Sequence, residues 1–144
     1  MHPVIRIVVL AIAAALLVTP AAAAPAAEQP IVTVTRRGGF CLARTACTKV
    51  LRITDTTVSG EGYVPRRLAK ADRAALLRAI AALDVKSLRP FRGTCPTSHD
   101  VPESVYRFRG IARTLPECKY DLERVKAVHL TDRLLATLKP RPRS

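Results

Sequence analysis

The chain has 144 residues, 24 Lys and Arg against 11 Asp and Glu, and a net charge of +13. That length supports one small domain with its own core. No internal repeat, low-complexity segment or second domain follows the first stretch of sequence. No phosphate-cradling glycine loop, H-E-x-x-H or EF-hand pattern occurs, and nothing calls for a cofactor.

Residues 1–26 read as a signal peptide. "MHPVIR" is a short basic start, "IVVLAIAAALLV" is a twelve-residue apolar core, and "TPAAAAPAA" supplies small residues at the A-x-A positions. Twelve apolar residues fall short of the ~20 that span ~30 Å of hydrocarbon. Cleavage is expected to give a start at Ala24 or Ala27. Loss of 26 residues from 144 leaves 118, and loss of Arg6 takes the charge from +13 to +12. The mature domain is expected to be exported from a bacterial cell, where a positive chain meets anionic wall polymers and lipid headgroups. Arginine outnumbers lysine 18 to 6, a bias that a GC-rich genome also produces, so no single arginine is by itself evidence of binding.

After the leader, "IVTVTR" (31–36) alternates β-branched residues and predicts a strand. Gly38-Gly39 permits a sharp backbone excursion. "TKVLRIT" (48–54) alternates again, and "VSGEGYV" (58–64) predicts a third, weaker strand. From Leu68 the period changes to three and four. Leu68, Ala75, Leu76, Ala79, Ile80 and Leu83 share one face of a long amphipathic helix ending near Asp84. Lys70 and Arg78 lie away from that stripe and Arg73 lies at its border.

"KSLRPFRGTCPTSHDVPE" is expected to be a long loop. "SVYRFRG" then predicts a strand, with Tyr106 and Phe108 on one side and Val105 and Arg107 on the other. "IARTLPECKYDL" is its partner, confined to an edge by Pro116. "HLTDRLLATLK" predicts a short closing helix with Thr131 as N-cap, and residues 140–144 a basic, solvated tail. The order β-β-β-α-β-β-α predicts a single α+β domain over 27–139: one antiparallel sheet of about five strands, packed on one long helix plus a short C-terminal helix.

Four cysteines in an exported chain of this size predict two disulfides. Cys41 and Cys47 have five residues between them, and Cys95 and Cys118 have 22, so neither pair has the C-x2-4-C spacing of a zinc knuckle. Four cysteines allow three pairings, and locality favours Cys41–Cys47 with Cys95–Cys118.

Chemistry is sparse. His99 stands beside Asp100 and four residues after Cys95, but Cys95 reads as a disulfide half and no third orienting group is evident. Ser59 lacks the G-x-S-x-G elbow. Asp100 and Glu103 share a loop, as a glycosidase pair would, yet loop acids are usually solvated. "YRFR" (106–109) has the composition of a small nucleic-acid patch, but alternation sends the aromatics and arginines to opposite faces. No nucleic-acid partner is expected.

Arg36-Arg37-Gly38-Gly39-Phe40 at the end of the first strand resembles the R-x-G-G-F turn of the emfourin-like family of small bacterial protease inhibitors. The helix over Leu68 to Leu83, Asp100 before Tyr106-Arg107, and the closing Leu134, Leu135 and Leu138 follow in that family's order. The two cysteine pairs, the positive charge and the leader depart from it. The resemblance implies an α+β fold, a binding loop at residues 36–40 and an extracellular protease as partner; it transfers no catalytic residue. The sequence therefore predicts a secreted, non-catalytic binding module, with a protease, an anionic wall polymer or a lipid surface as partner. The alternative is a cell-wall hydrolase using Asp100 or His99.

Overall fold

The computed structural model describes residues 28–38, 48–95 and 102–142. β1 (Val32–Gly38) is the hub of a six-stranded sheet, flanked by β2 (Thr48–Ile53) and β6 (Pro102–Phe108). β3 (Thr57–Gly60) and β5 (Arg66–Arg67) extend the sheet beyond β2, and β7 (Leu115–Pro116) extends it beyond β6. Every pairing is antiparallel. β4 (Tyr63–Val64) and β8 (Lys139–Pro140) form a separate two-stranded ribbon.

Alternation along each strand produces two unlike faces. Register aligns Val58, Ile53, Val32 and Phe108 in one row, and Leu51, Val34, Tyr106 and Leu115 in the next. All eight are buried, and they form the core with the helices. α1 (Lys70–Ala81) contributes Leu76, Ala79 and Ile80 to it, and α2 (Lys126–Leu135) contributes Ala127, Val128, Leu134 and Leu135. The expected stripe on the first helix thus faces the core at Leu68, Leu76, Ala79 and Ile80, while Lys70 and Arg78 are exposed. Neither helix has a side-chain N-cap. Their positions depend on that burial.

Several finer expectations need correction. The long helix is twelve residues, ending at Ala81, because Asp84 instead caps a 3-10 turn over Val85–Ser87 by accepting from the Lys86 amide at 3.0 Å. The closing helix begins at Lys126, is ten residues long and nearly equals the first. Thr131 is not its cap; it lies in the helix interior and donates to the Ala127 carbonyl at 2.8 Å. The third strand divides at Glu61-Gly62, where Gly62 takes φ 79, and this yields β3 and β4 as separate strands. Arg66-Arg67 then returns as β5, so the sheet exceeds the five strands anticipated. Gly60 faces Leu51 so closely that a Cβ would strike Leu51 Cδ2.

Pro116 lies in the edge strand, as expected of a residue without an amide hydrogen. The Cys95–Cys118 disulfide is formed, with Cα atoms 5.2 Å apart. Beside it, Pro90 bridges Tyr120, and the Phe91 amide donates to the Lys119 carbonyl at 3.1 Å. Part of the predicted loop is therefore sewn to the segment after β7. Arg73, at the border of the helical stripe, donates to Asp55 from Nε at 2.7 Å, and Arg109 reaches the same carboxylate at 2.8 Å. Arg109 first, then Arg73, holds the Asp55 carboxyl down at about 2. That cluster joins α1, the β2–β3 turn and the end of β6.

Candidate functional site

The predicted binding loop is divided between the two sides of the sheet. Arg36 points to the core side, half-buried, in the row of Lys49 and Ser104. Arg37 points to the other side, exposed, in the row of Thr48 and Glu103. Gly38 ends the strand with φ 82, opposite Pro102. Gly39, Phe40, Cys41, Cys47, His99 and Asp100 lie outside the described residues, as does the 1–26 leader. Glu103 and Ser59 are far apart on the outer side, Ser59 opposite Arg52.

That outer side is the more distinctive surface. Its described residues include Arg67, Arg52, Arg107 and Arg37, the hydroxyls of Thr57, Ser59, Thr33 and Thr35, and a single acid, Glu103. Arg52, Arg67 and Arg107 are exposed. Arg52 and Arg107 share one row with Thr33 between them, two strand steps or ~10 Å apart at ~4.8 Å per step, while Arg67 lies two strands beyond Arg52 and two residues out of that row. Both helices pack against the opposite face. Among the described strand residues of the outer side, Val105, beside Thr35 and Pro116, is the buried apolar one, and it stands apart from the main core.

A second constellation sits at the core side. The Tyr106 hydroxyl contacts Asp132 Oδ1 at 2.9 Å, Asp132 Oδ2 at 3.1 Å and Glu117 Oε1 at 3.3 Å. Burial first, then the charges of Asp132 and Glu117, pushes the Tyr106 phenol well above its ordinary value. Burial also raises the Asp132 carboxyl, against the hydrogen bond from Tyr106; Glu117 raises it further, and Arg36 and His129 oppose. A cavity of ≈ 360 Å³ opens here, lined by Phe91, Tyr120 and His129 together with Glu117 and Asp132. Asp121 and Glu123 also line it, so four of the 11 acidic residues border one cavity.

The carboxylate pair has the residue types of an acid–base site, but its bonds are those of a latch. Glu117 Oε2 accepts from the Ser104 amide at 2.8 Å, and the Glu117 amide donates to the Ser104 carbonyl at 3.0 Å. His129 is bound through Nε2 to the Glu123 carbonyl. The cluster thus ties β6, the segment after β7 and α2 together. Sequence reasoning missed it. One signal was present: Asp132 lies four residues after Val128 and three before Leu135, an acid set within an apolar helical stripe.

The raised Asp132 carboxyl makes a pH prediction. A carboxyl raised in the folded state contributes stability that is fully present below its unfolded value and is lost as pH rises through the folded one. Asp132→Asn keeps an acceptor for Tyr106 and removes the titration. Relative to wild type, the variant should therefore gain stability as pH is raised from the range in which free carboxyls ionise toward neutrality. Urea melts across that range measure it; a gain in the opposite direction would mean that Asp132 is held ionised.

Among the described residues no group of His, Cys, Asp and Glu is arranged to hold a metal ion, and no helix is long and apolar enough to cross a membrane. The disulfide is consistent with an oxidising, extracellular setting. No family model matches the chain, and no curated protein or solved structure matches it. The likeness to emfourin-like inhibitors therefore stands on its sequence motifs alone.

Proposed function

We propose that this chain is an exported, non-catalytic binding module that works through the outer face of its sheet. The observation that supports it is the arrangement there of four arginines against one acid, on a face that neither helix covers. Antiparallel pairing fixes the strands, so binding would cost little ordering of backbone. The partner of matching charge is an anionic polymer of the cell envelope. The polar latch at Tyr106 favours the same reading over hydrolysis, because its carboxylates are engaged with the fold.

The protease-inhibitor reading assigns the contact to residues 36–40. Arg36 turns to the core side, which leaves Arg37 and Gly38 as the described residues open to a protease there. The basic face carries more of the charge, so the polymer reading ranks above it.

The experiment is co-sedimentation of purified protein with insoluble cell wall, beside the variant Arg52→Glu/Arg67→Glu/Arg107→Glu. Wild type should pellet in low salt and be released by salt; the variant should stay in solution. Equal pelleting of both proteins would overturn the outer-face reading. Slowed turnover by a secreted protease, abolished by Arg37→Ala, would favour the inhibitor. Wall hydrolysis lost in His99→Ala or Asp100→Ala would establish the enzyme instead.

A further inference from the structure

The ribbon of β4 and β8 brings an unexpected residue to the basic face. The Arg141 amide donates to the Gly62 carbonyl at 2.9 Å, and its Nε donates to the Tyr63 carbonyl at 3.0 Å. The guanidinium is thereby anchored through one nitrogen, with its two terminal nitrogens left to donate elsewhere. A shallow cleft of ≈ 380 Å³ lies between Arg141 and Arg52. Val50, Ser59 and Gly60 line it as well, and Glu61 is its one acid. Arg52 and Ser59 are register partners on the outer side of the sheet, so the cleft is continuous with the row that runs through Thr33 to Arg107.

We propose that this cleft is a phosphate subsite, and that the outer face binds a linear phosphodiester polymer whose successive charges run from the cleft toward Arg107. The proposal rests on the outer-face reading above and names its ligand. Two guanidiniums approach the cleft from different elements, β2 and the residue after β8, with the Ser59 hydroxyl between strands. A tetrahedral phosphate offers oxygens out of one plane and can be gripped from both sides; a carboxylate, whose two oxygens are coplanar, is satisfied by one guanidinium fork. Beyond the cleft, Arg52 and Arg107 repeat at ~10 Å across β1, an interval suited to charge that recurs along a chain. A lipid surface fits less well. The exposed large apolar residues among those described, Val64 and Phe91, both lie outside the strands of this sheet, leaving its basic rows without an apolar residue to insert.

Fluorescence anisotropy with labelled poly(glycerol phosphate) tests this, with a labelled polyuronate and anionic lipid vesicles as parallel probes. Wild type should prefer the phosphodiester polymer. Arg141→Gln and Arg52→Gln should each weaken it about tenfold, as loss of one charge-assisted contact does. Arg78→Gln, an equal loss of charge on the exposed side of α1, should leave it within about twofold. Glu61→Gln should tighten it. If polyuronate binds equally well and Arg141→Gln behaves like Arg78→Gln, the phosphate subsite is refuted while the outer-face reading stands. If neither polymer binds, both fail. Preferential binding to vesicles would replace the polymer with a membrane.

Discussion

Leu76→Ala should lower the stability of the protein by about 2–5 kcal/mol, the usual loss for a truncated buried leucine. Leu76 is fully buried and packs in one core with Val32, Val34, Ile53 and Tyr106. α1 has no side-chain cap at its N-terminus, so packing of this face is the main force holding it. Its neighbour Ile80 should behave alike, because it lies four residues on in the same stripe and is also buried. Arg78→Ala, exposed, should stay within about 0.5 kcal/mol of wild type. Urea melts of the three variants decide the register: equal effects at positions 78 and 80 would place the helix on a different face.

Removal of the Cys95–Cys118 disulfide ranks second. The bond joins residues separated by 23 positions, for which chain entropy gives ~3 kcal/mol. The double variant Cys95→Ala/Cys118→Ala should lose about that much, and in a specific place. Cys118 lies next to Lys119 and Tyr120, which hold Phe91 and Pro90 by backbone contacts, and Tyr120 and Phe91 line the acidic cavity. Hydrogen exchange should therefore quicken around residues 89–91 and 119–121, whose cross-bonds the disulfide restrains, before it does in β1 and β2. Uniform quickening over the whole sheet would show the bond to be a global constraint instead.

Much of the sheet was legible because its strands carry their own pattern. β1, β2 and β6 alternate over six or seven residues, and two successive inward positions in each are apolar and buried: Val32 and Val34, Leu51 and Ile53, Tyr106 and Phe108. The aromatic side of "YRFR" faces the core for the same reason, with Tyr106 and Phe108 stacked at 6.3 Å. β5 and β8 were not legible. Each is two residues long, and Arg-Arg or Lys-Pro has no alternation to read; only pairing makes either one a strand, β5 with the nearby β3 and β8 with β4, which lies far back in the sequence. The division at Glu61-Gly62 had a signal in its glycines, but a loosened strand and a broken one look alike until the pairing is known.

The same limit governs the sites. Arg141 falls in what reads as a solvated tail, and two backbone-directed bonds place it beside Arg52, 89 residues earlier in the chain. Tyr106, Glu117 and Asp132 come from a strand, a turn and a helix, with spacings of 11 and 15 that match no local motif. By contrast Cys95–Cys118 was accessible, because four cysteines leave only three pairings and one is strongly local.

The central position of β1 has a consequence for the order in which the molecule can be assembled. Val32 is partnered on one side by Ile53 and on the other by Phe108, 76 residues downstream. A chain emerging amino end first can form the β1–β2–β3 meander early, but the outer edge of β1 stays vacant until β6, at residues 102–108, has appeared. Pairings of such long range close slowly. During that interval the edge of β1 is open to any other extended segment, including another copy of itself. Crowded emergence, rather than dilute refolding, is thus the condition under which this sequence is most exposed to misassembly.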